Sequence, residues 1–305
     1  MSRKIRLLGH RGLRYRRGRD ENGRAAFEEA LRVADGIEAD VAVSREGTAY
    51  ILHDISVKYV PRWFTRSENA LGAALDAPSR RKVAGRRFEE LADAEIAALR
   101  LRRGGQVLRL SQLFALAARA PAKTINLELK HPEAVPALLK ELAHARAFNR
   151  VRDAQLIVSS FDAGTLQALR AAAPAIRRSL ILLPPGTLPA PVYPWKPGHA
   201  GLYRDFSAAS FRDAQVHAAA PQFFTVTPGC LARAHIRLLE TEAPGAKLLV
   251  WTPKEYLPFR HAFLAAALAR PDAAYATHAV ITAYPQRLGG KLNPGPKLLP
   301  RPKSL

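Results

Sequence analysis

Cysteine is almost absent: in 305 residues only Cys230 carries a thiol, which excludes a disulfide framework and a cysteine-rich zinc site within the chain. Long hydrophobic runs are missing too. No stretch reaches the roughly 18 uninterrupted apolar residues of a membrane span, and the residues from Met1 to His10 are charged without the apolar run of a signal peptide. A soluble, cytoplasmic protein is the expectation. Acidic residues are scarce beside basic ones, 26 Asp and Glu against 47 Lys and Arg, so the net charge is +21 and the pI is near 10.8. Such a charge favours anionic partners, whether phosphate esters, anionic lipid surfaces or nucleic acid, without choosing among them. There is no zinc finger, no RNP-like aromatic run and no single concentrated basic helix, so a nucleic-acid-binding reading has charge alone behind it. No internal repeat points to a solenoid.

What is present suits a folded protein with a sizeable core: 48% hydrophobic and 24% charged residues. Strand-like apolar runs alternate with helical runs from the first residues to about residue 285, the signature of parallel βα units. Strands are expected near residues 5–9, 36–43, 123–130, 154–160, 178–183, 222–227, 247–252 and 278–283. Eight is the number of a (β/α)8 barrel, which needs about 250 residues. Helices are expected over 24–34, 88–101, 111–118, 133–147, 163–172, 230–240 and 254–267, with Asp162 as an N-cap.

The expected fold class is therefore α/β, a TIM barrel over residues 1–290 with an insertion after the second strand region. The insertion, residues 54–110, includes Val60-Pro-Arg-Trp-Phe64 and the basic run from Arg80 to Arg87, and would lie near the barrel mouth. A proline-rich stretch, 184–197, with the following 203–219 reads as a lid. Residues 291–305 read as a basic, proline-rich, weakly ordered tail.

Within Gly36-Ile-Glu-Ala-Asp-Val-Ala-Val43, Glu38 and Asp40 are two apart on a strand and share a face, while Ile37, Val41 and Val43 cover the other. Two acids buried there without a cation would be costly, so the pair suggests a divalent metal; an exposed edge strand is the alternative. In Thr124-Ile-Asn-Leu-Glu-Leu-Lys130 the same alternation puts Asn126, Glu128 and Lys130 on one face. Glu128 would then join Glu38 and Asp40, and an all-oxygen set suits Mg²⁺ or Ca²⁺ better than zinc. His10 and Arg11 follow the first strand, at the end of a barrel strand where catalysis occurs. The strand ending at His53-Asp54 is expected to pair back on the Glu38 strand through the turn at 45–48, bringing a second imidazole to the same mouth.

The ordered series His10-Arg11-Gly12, Glu21-Asn22, Glu38-x-Asp40, His53-Asp54, Glu128-x-Lys130, Ser160-Phe161 and Trp251-Thr252 resembles the glycerophosphodiester phosphodiesterase family over about residues 5–285. The resemblance implies a TIM barrel and metal-dependent hydrolysis of a glycerophosphodiester to sn-glycerol 3-phosphate and an alcohol. It implies Glu38, Asp40 and Glu128 as metal ligands, His10 and His53 as an acid/base pair, and Arg11 and Lys130 on the phosphate. Phe161 and Trp251 would line the pocket. Two departures stand out: Asp20 and Gly23 flank Glu21-Asn22 where the family commonly has proline and threonine, and Ala283 replaces an acid in Thr282-Ala-Tyr-Pro285. The loop holding Arg14, Arg16, Arg17 and Arg19 reads either as a solvated basic face or as a contact for an anionic membrane. The alternatives are a lysophospholipase D-type enzyme, with the insertion supplying a lipid channel, and a basic phosphate- or nucleic-acid-binding protein without catalysis.

Overall fold

The computed structural model describes residues 5–13, 19–53, 74–84, 86–130, 132–148, 151–184, 204–252 and 260–292. Ten strands among them form one sheet: β1 (Arg6–Gly9), β2 (Gly36–Val43), β3 (Ala49–Ile51), β4 (Leu108–Arg109), β5 (Thr124–Leu129), β6 (Leu156–Ser160), β7 (Arg177–Ile181), β8 (Phe223–Val226), β9 (Lys247–Trp251) and β10 (Thr277–Thr282). The order β1-β10-β9-β8-β7-β6-β5-β2 is parallel throughout and closes through a β1–β2 pairing, so eight strands make a TIM barrel. Each of the eight lies within or overlaps a run read as a strand from alternation. β3 returns antiparallel along the C-terminal half of β2, as expected, and β4, too short to carry a pattern, extends this flap.

The strand runs are apolar because a parallel barrel buries both faces. Ile37, Ala39 and Val41 of β2 and Ile125, Leu127 and Leu129 of β5 are buried in the layer between sheet and helices. A separate small cluster, Leu8, Ile157, Phe223, Leu249, Ala279 and Ile281, fills the barrel interior. A third, including Tyr50, Leu75, Phe88, Ile96 and Leu101, packs residues 74–107 against the β2–β3 flap. There is no membrane-crossing candidate among the described residues: no helix is long and apolar enough.

Asp162 caps the helix Ala163–Ala172 as expected, its carboxylate accepting from the amides of Gly164 and Thr165 at 3.0 and 2.9 Å. The single helix expected over 88–101 is instead a 3₁₀ turn (Phe88–Glu90) and a short helix (Asp93–Ala97). The reason is local: Glu90 and Glu95 each turn back to accept an amide, from Arg87 and Ala92, starting two helices where periodicity suggested one. Likewise the run 230–240 splits at extended Ala232 into a 3₁₀ turn, Pro228–Leu231, and a helix, Arg233–Glu242. Of the run 254–267 the described part is the helix Arg260–Leu268. Residues 204–219 correct the lid reading: Phe206, with Phe211 and Val216 of the two short helices that follow it, is buried in the outer core. The rest of that stretch, the insertion's Val60–Phe64 and the tail beyond 292 lie outside the described residues.

Phe27 is fully buried between its helix and the sheet, whereas Phe263 is 68% exposed. Phe27→Ala should lower unfolding free energy by about 3–5 kcal/mol, and Phe263→Ala by no more than about 0.5 kcal/mol, in urea denaturation of the two variants. Equal losses would mean the outer core is not where the fold's stability resides.

Candidate active site

The first βα turn is built for close approach. Gly12 has φ +76°, and a Cβ there would stand 2.7 Å from the backbone of Ala26. Arg11, φ 50°, adopts the left-handed conformation without being glycine, at a cost of roughly 1–3 kcal/mol that surrounding contacts must offset. They do so on every side. Its amide donates to Glu38 Oε2 at 2.9 Å, its carbonyl accepts from Asn22 N at 3.0 Å, and Nη1 donates to Glu21 Oε1 at 2.9 Å. Its Nε lies 3.3 Å from Asp40 Oδ2, which also accepts from Asn22 Nδ2 at 3.1 Å. The kinked turn thereby clamps Arg11 over the acidic strand.

His10 is buried at the top of β1, its amide donating to Thr282 O at 3.0 Å. The Trp251 indole N–H donates to His10 Nε2 at 3.1 Å, with the rings edge to face, and Glu38 Oε2 lies 3.8 Å from the same nitrogen. Ala283, at the family departure, is buried, and the hydrogen bond holding His10 uses the carbonyl of its neighbour Thr282.

Parallel register sets Asp40 opposite Glu128 and Glu38 opposite Asn126. Because side chains alternate, these four face the interior together while their apolar neighbours face the helices. Oxygens of Glu38, Asp40 and Glu128 all lie within 4.8 Å of one another. Lys130 Nζ is 2.7 Å from Asp40 Oδ1 and also pairs with Glu128. His53 follows the return strand, whose Leu52 amide donates to Asp40 O at 3.0 Å, and it shares the electrostatic environment of Asp40, Arg11, Lys130 and His10.

Burial, then the charges of Asp40 and Glu128, hold the Glu38 carboxyl well above the ordinary range. Burial raises Glu128 as well. It would raise Asp40 too, but Lys130, His53 and Arg11 outweigh it and hold that carboxyl well below its usual value. His53 is pushed well down by burial and by Arg11 and Lys130. Lys130 is raised in spite of burial, because Asp40 and Glu128 surround it. Three acids thus face two cations, and Glu38 carries the shortfall.

These residues fit a hard divalent cation. The donors are all oxygen, they are buried and convergent, and the deficit at Glu38 is one that an added positive charge would relieve. Asn22 Oδ1 and Asn126 Oδ1 are also buried, with no hydrogen-bond partner among the described residues. Each is a further neutral oxygen close to the acids.

Eight of the nine residues singled out from sequence, His10, Arg11, Glu38, Asp40, His53, Glu128, Lys130 and Trp251, meet at one mouth of the barrel. Phe161 follows β6 at the same end, half-buried. Sequence reasoning gave no task to Glu21 and Asn22, though their motif was noticed; their bonds to Arg11 and Asp40 make them part of the site. The bond from Trp251 to His10 has no signal in the sequence, because β1 and β9 are far apart along the chain. Of the basic loop, Arg19 lies 3.9 Å from Glu29 of the first helix; Arg14, Arg16 and Arg17 lie outside the described residues.

Residues 10–285 match the family model described as the glycerophosphoryl diester phosphodiesterase family. A glycerophosphodiester phosphodiesterase of Bacillus altitudinis is 26% identical over 226 residues, covering 69% of this chain and 83% of that protein. Among solved structures, a glycerophosphodiester phosphodiesterase from Parabacteroides distasonis superposes with a TM-score of 0.64 at 14% identity, covering 94% of this chain and 96% of the other. An Oleispira antarctica phosphodiesterase, solved in complex with the product sn-glycerol-3-phosphate, gives 0.61 at 18% identity and covers 94% and 96%. At such identities the structures speak to the fold alone.

Mg²⁺ or Ca²⁺ should raise the melting temperature, since a ligand of the native state at a hundred times its Kd adds about 2.7 kcal/mol. Asp40→Asn should remove that shift. A cation-induced shift of equal size in the variant would place the cation elsewhere.

Proposed function

The chain belongs to the glycerophosphoryl diester phosphodiesterase family, and from that premise we propose that it hydrolyses glycerophosphodiesters to sn-glycerol 3-phosphate and an alcohol. In this reading Glu38, Asp40 and Glu128 hold Mg²⁺ or Ca²⁺, and His10 and His53 move the protons. The observation that carries it is the meeting of two imidazoles, from separate strands, beside three convergent carboxylates and two cations. The barrel unit over 1–290 and the tail over 291–305 belong to the same proposal.

A phosphodiester is an anion that repels its attacker, and its leaving alkoxide is a poor one. A divalent cation held by Glu38, Asp40 and Glu128 would supply neutralisation of the charge that develops on the phosphoryl group. Arg11 and Lys130 add positive charge next to it, fixed before substrate arrives, so that little reorganisation is needed as charge develops. Proton removal from the attacking group and proton delivery to the alcohol require two groups on opposite tasks. Imidazole suits both because its unperturbed pKa lies near neutrality. Trp251 restrains the His10 ring through its indole N–H, and with Phe161 offers apolar surface to the carbons of the substrate.

Chelation with EDTA should abolish release of glycerol 3-phosphate from glycerophosphocholine, and Mg²⁺ or Ca²⁺ should restore it; turnover that persists without metal removes the assigned centre. His10→Ala and His53→Ala should each lower kcat by about a hundredfold or more while leaving the fold intact by circular dichroism. A near-native rate in either variant would take that histidine out of the reaction.

A further inference from the structure

The end of the barrel opposite the carboxylates carries cations that the hydrolytic site does not use. Cross-strand register shows where they point. Arg6 lies opposite Ala279, Arg177 opposite Ile157 and Lys247 opposite Phe223, and all three partners belong to the interior cluster. Since residues opposite one another on neighbouring strands share a face, Arg6, Arg177 and Lys247 start from the inward face at the floor of the barrel, on β1, β7 and β9. The Arg6 guanidinium reaches past Gly36, which has no side chain, to donate from Nη1 to Thr124 Oγ1 at 2.9 Å. Arg177 donates to the carbonyls of Leu156 and Ala154 at 3.2 and 2.7 Å and stands 5.8 Å from the Phe223 ring centre. That ring lies 4.8 Å from the buried His278. Lys247 is turned elsewhere, 3.5 Å from the ring centre of the exposed Tyr275 in the helix before β10.

Among the described residues none of these three cations is paired with a carboxylate; their partners are a hydroxyl, two carbonyls and aromatic rings. Asp35, the acid beside β1, accepts the Leu7 amide at 2.9 Å. Arg6 and Arg177 approach one another in a partly buried space without a counter-ion and so repel, and a compact anion would turn that repulsion into attraction. Consistent with this, burial and then the charge of Arg6 weaken the hold of Arg177 on its proton.

We propose that the N-terminal floor of the barrel is an oxyanion site, in which Arg6 and Arg177 bind a phosphate group of the kind carried by inorganic phosphate or a phosphate monoester. Guanidinium forks match the oxygens of a tetrahedral phosphate, and two forks from separate strands flank it. The site is separate from the hydrolytic centre and does not depend on how that centre works.

Isothermal titration of the full chain with inorganic phosphate, at low ionic strength and in EDTA, tests this. Wild type should bind phosphate, and Arg6→Met and Arg177→Met should each weaken binding about tenfold or more. Phosphate held at the catalytic mouth is lost in Lys130→Met, and the binding that depends on Arg6 should persist in that variant. Arg6 is exposed, so Arg6→Met is the variant least prone to misfold, and its rate of diester hydrolysis should match wild type. A parallel titration with glycerol 3-phosphate in the Lys130→Met background separates the sources: binding that is lost when Arg6→Met is added extends the site to monoesters, and absence of binding confines it to the free ion. No phosphate binding to wild type, equal binding to Arg6→Met, or binding lost only in Lys130→Met overturns the proposal.

Discussion

Asp40 is fully buried at the top of β2, and the architecture of the mouth follows from keeping it ionised. An uncompensated carboxylate in that position would be pushed towards neutrality by several kcal/mol. Lys130 from β5, Arg11 from the β1 turn and Asn22 from the loop beyond it all reach the same two oxygens. Those contacts oblige the first βα turn to adopt its left-handed geometry, which in turn requires Gly12. A single buried charge thus organises three segments that are distant in sequence.

The balance is deliberately incomplete. Arg11 and Lys130 satisfy Asp40, leaving Glu38 and Glu128 raised by burial and by the charge of Asp40. A site whose acids were all neutralised by its own side chains would have no affinity left for an added cation. Here the excess negative charge is confined to the point where the three carboxylates converge, and the protein's own cations flank it. The surplus of positive charge over the rest of the chain then has a different role, keeping anions near the molecule.

Strand alternation also explains how one barrel carries two chemistries at its two ends. Along β5, Thr124, Asn126 and Glu128 face inward in succession, from floor to mouth. Along β1 the corresponding residues are Arg6, Leu8 and His10. The apolar interior cluster, with Leu8, Ile157 and Leu249, lies between the ends and keeps the cationic floor apart from the anionic mouth.

Much of this was legible in the sequence, because the period-two alternation that places Glu38 with Asp40, and Glu128 with Lys130, is a local property of the strand. The eight parallel strands were readable for the same reason, and the Asp162 cap because its partners are two and three residues away. The split at 91–92 was not readable, since the side-chain caps made by Glu90 and Glu95 look like continuous periodicity, and the break at 232 is a backbone change at an alanine that carries no local signal. Nor were the tasks of Glu21, Asn22 and Trp251. Their partners, Arg11, Asp40 and His10, become neighbours only when β1 closes the sheet against both β2 and β10. By itself the sequence determined which faces are polar and in what order the reactive residues come. Tertiary structure alone decided which of them touch and which carboxylates are left in deficit, because closure of a barrel is a non-local event and burial sets the strength of every charge inside it.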